Sequence, residues 1–402
     1  MKKKFISQMV KTLPLLSLTL LIGACSTTPP VEEGTVEEGV VGEEPAAGTK
    51  NGVSFRREAF SSLPKSEDAH WEAAYKAFKL SCTKIGGVAP WREVCLKTKT
   101  PQTSARAFFE ENFDPWKVKT VASNGKESET GLMTGYYEPV LEGSRHKTER
   151  FSVPLYSPPD DLLTVSLAST YPALKGMPLK GKLKGKRIVP YDTREAIMGR
   201  RDLERYAICW VENPVEAFFL EVQGSGRIHL QDGAEIRLGF ADSNGHPYRA
   251  IAKWLVERGE IKPAEASMQR ILEWAKKNPK RTKEMLSYNK RYIFFKERSA
   301  AGSETGPVGS LGVPLTARAS VAVDKRYWQL GIPFVVQVNQ DNPPMHFVRP
   351  VVSQDTGTAI RGAMRFDYFW GSGAVAAKYA GGQKSPVSAW VLFPKDVNPW
   401  EF

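Results

Sequence analysis

Cysteine and histidine are scarce in this chain, which has four cysteines and five histidines among 402 residues. The histidines are scattered, and no cysteine or histidine pair has the spacing of a zinc site, so the sequence predicts neither a metal nor another cofactor. Apart from Cys25 there are only Cys82, Cys95 and Cys209. An odd set of three argues against a disulfide framework, although Cys82 and Cys95 could pair in an oxidising compartment.

The common nucleophile and phosphate-binding motifs are also missing. There is no Gly-x-Ser-x-Gly elbow, no His-Glu-x-x-His and no phosphate loop. The corner Gly224-Ser225-Gly226 is better interpreted as a tight backbone turn than as a nucleophile site. Carboxylates are therefore the candidates for any chemistry.

A long apolar run is absent as well. Residues 13–22 are apolar but fall short of the roughly 20 residues that a membrane span needs. They follow a lysine-rich start and precede Gly23-Ala24-Cys25, which predicts a signal peptide over residues 1–24. The cysteine after Gly-Ala resembles the lipobox of bacterial lipoproteins, so Cys25 is expected to carry lipid. A plain secretory signal with an incidental cysteine is the alternative.

Residues 25–54 are predicted to be a disordered acidic tether. Val31-Glu-Glu-Gly and Val36-Glu-Glu-Gly repeat there, and low hydrophobicity with one-sided charge prevents a core from forming. A flexible chain of about 25 residues reaches roughly 25–30 Å. Such a tether would hold an enzyme close to a membrane, and a leader without a spacing role is the alternative. Ser26, rather than an acidic residue, after the cysteine resembles the pattern that permits sorting to the outer membrane, so the protein is expected on the periplasmic face of that membrane.

The rest of the chain is basic. The formal net charge is +12, and subtracting the four leader lysines leaves +8. A basic folded part favours an anionic polymer as partner. Nucleic acid is a poor candidate for an exported protein, whereas peptidoglycan, with its acidic peptides and lactyl groups, fits better.

Hydrophobic periodicity predicts a mostly β fold with a few helices. The predicted helices are 68–79, 192–206 after a capping box, 248–257, 263–277 and 374–379. The predicted strands are 134–140, 217–222, 227–230, 315–323, 333–338, 346–352, 364–370 and 389–393. The run 180–186, rich in lysine and glycine, is predicted to be an exposed loop.

Asp367 is the best candidate for a catalytic acid. Glycoside cleavage needs a carboxylic acid that keeps its proton near neutral pH, which requires a partly desolvated setting or a nearby like charge. Asp367 lies in the aromatic strand Met364-Arg-Phe-Asp-Tyr-Phe-Trp370, with Arg365 on the same face. Pairing with Arg365 is the structural alternative. Asp355 lies just upstream, and the two acids could share a cleft and raise each other's pKa.

Five motifs, in this order, carry a resemblance to a known family. They are Gly131-x-x-Thr134-Gly-Tyr-Tyr-Glu-Pro139, Phe218-Phe-Leu-x-Val-Gln-Gly-Ser-Gly-Arg227, Asn244-Gly-His-Pro-Tyr248, Gly309-Ser-Leu-Gly312 and Asp355-Thr-Gly-x-Ala-Ile-x-Gly362. From about residue 60 onward, the chain resembles the membrane-bound lytic murein transglycosylase A family. The last stretch also resembles the small 3D module, whose three aspartates would be Asp324, Asp355 and Asp367.

The resemblance implies a double-psi β-barrel with a second, mostly β domain inserted into it and a substrate groove between the two. Residues 55–137 and 295–402 would form the barrel, and residues 138–294 the insert. Asp367 would be the single acid/base, with Asp355 in support. The residues expected to bind substrate are Thr134, Tyr136, Tyr137, Gln223, Gly224, Ser225 and Asp324. Tyr136 and Tyr137 would stack on sugars, with a place in the core as the alternative.

The implied reaction cleaves the bond between N-acetylmuramic acid and N-acetylglucosamine without water and leaves a 1,6-anhydro end. Two alternatives stay open. One is an inverting hydrolase with Asp367 as acid and Asp355, or another acid roughly 6.5–9.5 Å away, as base. The other is a non-catalytic lipoprotein that binds peptidoglycan. The expected partners are glycan strands and outer-membrane lipid, and cell-wall synthesis or division proteins are further candidates.

Replacing Cys25 with alanine is expected to release the protein from the membrane fraction, because the lipid would be attached through the thiol. Cell fractionation followed by immunoblotting measures the distribution, with Ser26→Ala as the control that keeps the cysteine. Retention of the Cys25→Ala variant in the membrane fraction would show that the lipid-anchor hypothesis is wrong.

Overall fold

The computed structural model describes residues 52–122, 124–174, 177, 179–298 and 306–401. The predicted signal peptide, Cys25 and all but the last residues of the predicted tether lie outside this described part. The first strand already begins at Val53, inside the range predicted for the tether. None of the described helices is long and apolar enough to cross a membrane.

Eighteen strands and nine α-helices form the described fold. The strands are β1 Val53–Arg57, β2 Phe113–Val121, β3 Glu127–Ser128, β4 Gly131–Glu138, β5 Val140–Ser144, β6 Val153–Tyr156, β7 Leu163–Thr164, β8 Lys180–Lys184, β9 Arg187–Pro190, β10 Ala207–Val211, β11 Ser225–Leu230, β12 Glu235–Ser243, β13 Ile293–Arg298, β14 Ser320–Ala322, β15 Pro333–Gln340, β16 Met345–Asp355, β17 Arg365–Ser372 and β18 Lys384–Pro394. The helices are α1 Asp68–Ile85, α2 Trp91–Lys97, α3 Ala105–Asn112, α4 Arg194–Ile197, α5 Pro214–Gln223, α6 Ile251–Glu257, α7 Met268–Lys277, α8 Pro279–Ser287 and α9 Gly373–Gly382.

Six strands close into a barrel in the order β4-β18-β15-β16-β14-β17, with β17 pairing back to β4. The pairs β14–β16 and β17–β4 are parallel, and the other barrel pairs are antiparallel. Closure satisfies the backbone groups that an open sheet would leave at its edges. Aromatic side chains such as Phe334, Phe366 and Tyr368 are buried in this core. The closed barrel confirms the predicted mostly β fold class.

A second sheet follows the order β13-β12-β11-β5-β10-β6, and all of its strands lie between residues 140 and 298. Helices α5 to α8 bring together a separate apolar cluster that includes Phe218, Trp254 and Trp274. A small sheet, β7-β8-β9, belongs to the same stretch of chain. We therefore propose the division predicted from the sequence, with 138–294 inserted between the barrel segments 55–137 and 295–402, except that Glu138 stays with barrel strand β4 and residues 295–298 stay with β13 in the inserted sheet.

The predicted strand at 217–222 is wrong, because the structure has helix α5 there. Asn213 caps the helix by accepting hydrogen bonds from the backbone N–H groups of Val215 and Glu216, and Pro214 fits its first turn. Gly224, with φ of 77°, ends it in the left-handed conformation that favours glycine. The helix is apolar on most sides, and such a run cannot be told from a strand by periodicity.

The lysine-rich run at 180–186 is also not simply a loop. Its first five residues form β8, which pairs with β9. Lys180 and Lys182 are held there by Asp242 at 2.7 Å and Asp192 at 2.6 Å. The expected helix at 192–206 is interrupted: Thr193 caps the short helix α4, and Arg201–Tyr206 is a 3-10 helix.

Two cysteines pair as the sequence allowed. A disulfide joins Cys82 at the end of α1 to Cys95 in α2. Cys209 is buried in the second sheet with a free thiol, and burial raises the pKa of this thiol to about 12.

Asn244 joins three segments of the inserted region. Its Nδ2 donates to the carbonyl oxygens of Asp192 and Lys290, both at 2.8 Å, and its Oδ1 accepts from the backbone N–H of Tyr292 at 2.9 Å. The side chain is 1% exposed. It therefore satisfies three backbone groups, and water could replace it only poorly.

Replacing Asn244 with alanine is expected to lower the free energy of unfolding by roughly 2–4 kcal/mol, because it leaves buried backbone groups without partners. Urea denaturation measures the change. Asn124→Ala, at an exposed turn, is the matched control and is expected to cost less than about 0.5 kcal/mol. Equal free energies of unfolding for the two variants would contradict the conclusion that Asn244 holds these three segments together.

Candidate active site

The two predicted acids lie in one row of residues across the barrel. Thr134 on β4 is opposite Asp367 on β17, Asp367 is opposite Ala322 on β14, and Ala322 is opposite Asp355 on β16. Neighbouring strands lie 4.7–4.9 Å apart, so the Cα atoms of Asp367 and Asp355 are separated by roughly 10 Å. Residues more than 200 positions apart in the chain thus meet at one site.

Asp367 has a hydroxyl partner rather than a charged one. Thr134 Oγ1 donates to Asp367 Oδ1 at 2.6 Å, and Arg365 Nη2 donates to the same Thr134 Oγ1 at 2.9 Å. Another guanidinium nitrogen of Arg365 donates to the carbonyl of Phe366. The spacing of Arg365 and Asp367 in the sequence allowed a direct ion pair between them. In the structure the two side chains are instead connected through the hydroxyl of Thr134.

This setting favours the protonated carboxyl. The pKa of Asp367 is raised to about 6, chiefly by burial, and the nearby charge of Asp355 contributes to the rise. The hydrogen bond from Thr134 and the charge of Arg365 act in the opposite direction. Since an ordinary aspartate has a pKa near 3.9, a substantial fraction of Asp367 keeps its proton in mildly acidic solution.

Asp355 is surrounded by hydrogen-bond donors. Its Oδ1 accepts from the backbone N–H of Ser310 at 2.9 Å and from Ser310 Oγ at 2.7 Å. Its Oδ2 accepts from the hydroxyl of Tyr136 at 3.1 Å. Burial raises the pKa of Asp355 above its usual value, and these donors offset only part of that rise. Tyr136 stays protonated, because burial and both aspartates raise its pKa well above the usual value.

Asp355 and Asp367 line a cleft of about 580 Å³ between the barrel and the inserted region. The barrel side is lined by Gly306 to Ser310, Pro314, Leu315 and Asp355 to Ile360, together with Tyr136, Glu138 and Asp367. The inserted side is lined by Arg194, Glu221 to Ser225, Arg237 to Phe240, Tyr248, Asn289, Arg291, Ile293 and Arg298. The cleft therefore has the size and mixed lining of a ligand site.

Most of the predicted site residues lie at this cleft. Asp367, Asp355, Tyr136, Gln223, Gly224 and Ser225 line it, and Thr134 reaches it through its bond to Asp367. Gln223 is held by the backbone N–H of Tyr137, at 3.2 Å from Gln223 Oε1.

The structure does not bring Tyr137 and Asp324 into the lining of this cleft. Tyr137 is 7% exposed, and its hydroxyl contacts Met268 Sδ at 3.2 Å, so it is a core tyrosine. Asp324 pairs with Arg326 at 2.6 Å and accepts from the backbone N–H of Gly362 at 2.8 Å. These bonds lower the pKa of Asp324 to about 2, as expected of a structural carboxylate.

A buried ion pair, overlooked in the sequence, positions the wall opposite the acids. Arg194 donates to both oxygens of Glu221, at 2.7 and 2.8 Å, and Glu221 Oε2 also accepts from the backbone N–H of Ile293 at 2.8 Å. Both side chains are buried. Glu221 lies in the last turn of helix α5, which ends at Gln223 and is followed directly by Gly224 and Ser225, so the pair fixes where these residues face the cleft.

Two exposed aromatic side chains and one serine were also missed. Phe240 and Tyr248 line the cleft and are 46% and 43% exposed, which suits stacking on a sugar ring. Tyr248 closes the motif Asn244-Gly-His-Pro-Tyr248, and Ser310 lies in Gly309-Ser-Leu-Gly312, so both motifs offered a signal. Phe240 lies in no motif. The described residues contain no group of three or more histidine, cysteine or acidic side chains that could hold a metal.

Comparison with known proteins agrees with this geometry. Residues 132–296 match the family described as "MltA specific insert domain", and residues 319–393 match the "3D domain". The membrane-bound lytic murein transglycosylase A of Escherichia coli K12 is 30% identical over 287 residues, which is 69% of each chain.

Solved structures show the same likeness. A crystal structure of MltA from Neisseria gonorrhoeae is 36% identical, with a TM-score of 0.75, and the match covers 88% of this chain and 97% of that one. The membrane-bound lytic murein transglycosylase from Agrobacterium tumefaciens is 28% identical, with a TM-score of 0.70 over 85% and 98% of the two chains.

The barrel, its inserted sheet and the acid-lined cleft are thus those of a lytic murein transglycosylase, an enzyme that acts on peptidoglycan. The chain belongs to the membrane-bound lytic murein transglycosylase A family. The resemblance noted in the sequence is confirmed, and the alternative of a non-catalytic binding lipoprotein is excluded.

Replacing Thr134 with valine is expected to move the alkaline limb of the pH–rate profile to higher pH. The hydroxyl stabilises the ionised form of Asp367, so its removal raises the pKa of the acid, which then keeps its proton to higher pH. Clearing of sacculus suspensions across a pH series measures the limb. Thr134→Ser retains the hydroxyl and is the matched control; a downward shift in the valine variant would contradict this role of Thr134.

Proposed function

We propose that Asp367 is the single acid/base of a cleavage that uses no water and leaves 1,6-anhydro-N-acetylmuramic acid ends. One observation carries this proposal. Four carboxylates line the described cleft, and three are held by donors: Glu138 by Arg227, Glu221 by Arg194, and Asp355 by Ser310 and Tyr136. Asp367 accepts one hydrogen bond at Oδ1, and no described residue donates to its Oδ2.

In the first step, protonated Asp367 donates its proton to the oxygen that links N-acetylmuramic acid to N-acetylglucosamine. Because the proton of Thr134 is directed at Oδ1, the acidic proton is expected on Oδ2, which is free to face the substrate. The bond between C1 of the muramyl residue and the bridging oxygen breaks. Positive charge develops at C1, and the N-acetylglucosamine side leaves as an alcohol.

In the second step, ionised Asp367 removes the proton from the muramyl C6 hydroxyl while that oxygen attacks C1. The new C6–O–C1 bond forms the anhydro ring, and Asp367 regains its proton. A pKa of about 6 suits a group that serves first as acid and then as base. Because the nucleophile belongs to the substrate, its effective concentration is very high, and a second protein carboxylate is not needed.

The inverting hydrolase is the competing proposal. It needs a second carboxylate that activates water on the opposite face of the sugar. Asp355 is the nearest candidate by strand register, yet both its oxygens already accept hydrogen bonds. This arrangement favours a supporting role, in which the charge of Asp355 raises the pKa of Asp367.

The remaining site residues fit a glycan ligand. We propose that Tyr136, Phe240 and Tyr248 contact sugar rings, and that Gln223, Gly224 and Ser225 line the groove opposite Asp367. Thr134 orients the acid. Tyr137 then supports the site only by packing in the core against Met268. Asp324 supports it only by holding the loop at Gly362.

We also propose that the enzyme is anchored by lipid on Cys25 at the periplasmic face of the outer membrane. Relatives described as membrane-bound support association with a membrane. The acidic tether would let the cleft reach glycan strands close to that surface, where cell-wall synthesis or division proteins are candidate partners.

Mass spectrometry of fragments from sacculi digested by the lipid-free enzyme tests the proposal. We expect fragments lighter by one water, about 18 Da, than hydrolytic products, because the C6 hydroxyl replaces water as the nucleophile. Asp367→Asn is expected to reduce their release by at least about 100-fold, as for loss of a general acid.

Asp341→Asn changes an exposed aspartate on the β15–β16 turn of the same barrel and is the matched control. It is expected to release fragments as the wild type does. Fragments with ordinary reducing ends would contradict the anhydro mechanism and favour the hydrolase. Unchanged release by Asp367→Asn would exclude this residue as the acid.

A further inference from the structure

Four arginines of the described chain line the cleft, and three of them have partners. Arg194 is paired with the buried Glu221. Arg237 lies 3.7 Å from Glu235. Arg291 donates to the carbonyl of His246 at 3.4 Å. The contacts of these three arginines therefore stabilise the inserted region itself.

Arg298 is different. It is the last residue of β13, and no carboxylate of the described part of the chain lies within ion-pair distance of it. Its side chain crosses Gly239 on the neighbouring strand β12: a Cβ atom at Gly239 would lie 2.6 Å from Arg298 Nε and 3.4 Å from its Cζ. Gly239 also lines the cleft and is opposite Ser225 on β11. The absence of a side chain at Gly239 thus leaves room for the guanidinium over a strand position that lines the cleft.

A cation in this position is suited to an anionic part of the substrate. Guanidinium binds carboxylates with two parallel hydrogen bonds, and a half-buried site strengthens such bonds. The sugar rings of peptidoglycan are uncharged. Its carboxylates belong to the lactyl substituent of the muramyl residue or to the peptide that this substituent carries.

We propose that Arg298 binds a carboxylate carried by the lactyl substituent of a muramyl residue in the cleft, and so selects muramyl-containing strands over uncharged glycans. The carboxylate is the free lactyl acid on a naked strand or an acid of the attached peptide. This inference rests on the proposed function, because it assumes that the cleft takes a glycan strand past Asp367.

Binding measurements on uncleaved ligands test the selection. The Asp367→Asn variant serves as the parent, so that ligands stay intact, and calorimetry compares three probes: an N-acetylglucosamine hexamer without carboxylates, a naked strand with lactyl acids, and a peptide-bearing strand. Arg298→Gln is expected to lower the ratio of affinity for carboxylate-bearing strands to affinity for the hexamer roughly tenfold or more. Arg298→Lys should retain part of the ratio, and Gly239→Ala should lower it by displacing the guanidinium.

Lys296→Gln removes the same charge two residues away on β13, at an exposed position outside the cleft lining. It is expected to leave the affinity ratio as in the parent. A fall confined to the naked strand identifies the lactyl acid, and a fall confined to the peptide-bearing strand identifies a peptide acid; either supports the proposal. An unchanged ratio in Arg298→Gln, or a fall equal to that of Lys296→Gln, overturns it. Release of anhydro fragments by the enzyme with Asp367 intact is scored separately, so failure of the proposed function remains distinguishable.

Discussion

The site depends on a carboxyl group that is withdrawn from water without being ion-paired. Burial favours the protonated form of Asp367, and a direct contact with Arg365 would cancel that effect. Thr134 prevents this by lying between the two, accepting from Arg365 and donating to Asp367. The arrangement requires β4 and β17 to lie side by side in parallel, which the closed barrel enforces.

The opposite wall of the cleft is held by polar contacts inside the inserted region. The inserted region contains a buried ion pair between Arg194 and Glu221, and Glu221 also accepts from the backbone N–H of Ile293. Asn244 binds the carbonyl of Asp192, close to Arg194 in the chain. Helix α5, which carries Glu221, leads into Gln223 to Ser225 at the cleft. A buried ion pair contributes little net stability compared with apolar packing, but the two parallel hydrogen bonds from Arg194 hold the Glu221 carboxylate in one orientation. The region thus places backbone and side-chain groups opposite Asp367, while apolar clusters supply most of its stability.

The sequence predicted the elements whose signal is local. Strand β17 was evident from its aromatic alternation, and the resemblance pointed to Asp367 and Asp355. Helix α5 was missed because it is buried on several sides, so its apolar run has no helical period. Tyr137 and Asp324 were expected at the cleft because motifs record which residues recur, not which way each side chain points. Arg298 could not be found from the sequence, since its position depends on Gly239 in a strand about sixty residues earlier.

The most direct test of the account is the titration of the Asp367 carboxyl carbon by NMR, with carboxyl-labelled aspartate and the signal assigned by its absence in Asp367→Asn. The account predicts a pKa of about 6, because burial and the charge of Asp355 outweigh Thr134 and Arg365. The carboxyl would then carry its proton in mildly acidic solution and release it as the pH rises through 6. A pKa near or below 4 would mean an ionised aspartate throughout the working range, and would contradict its role as the acid.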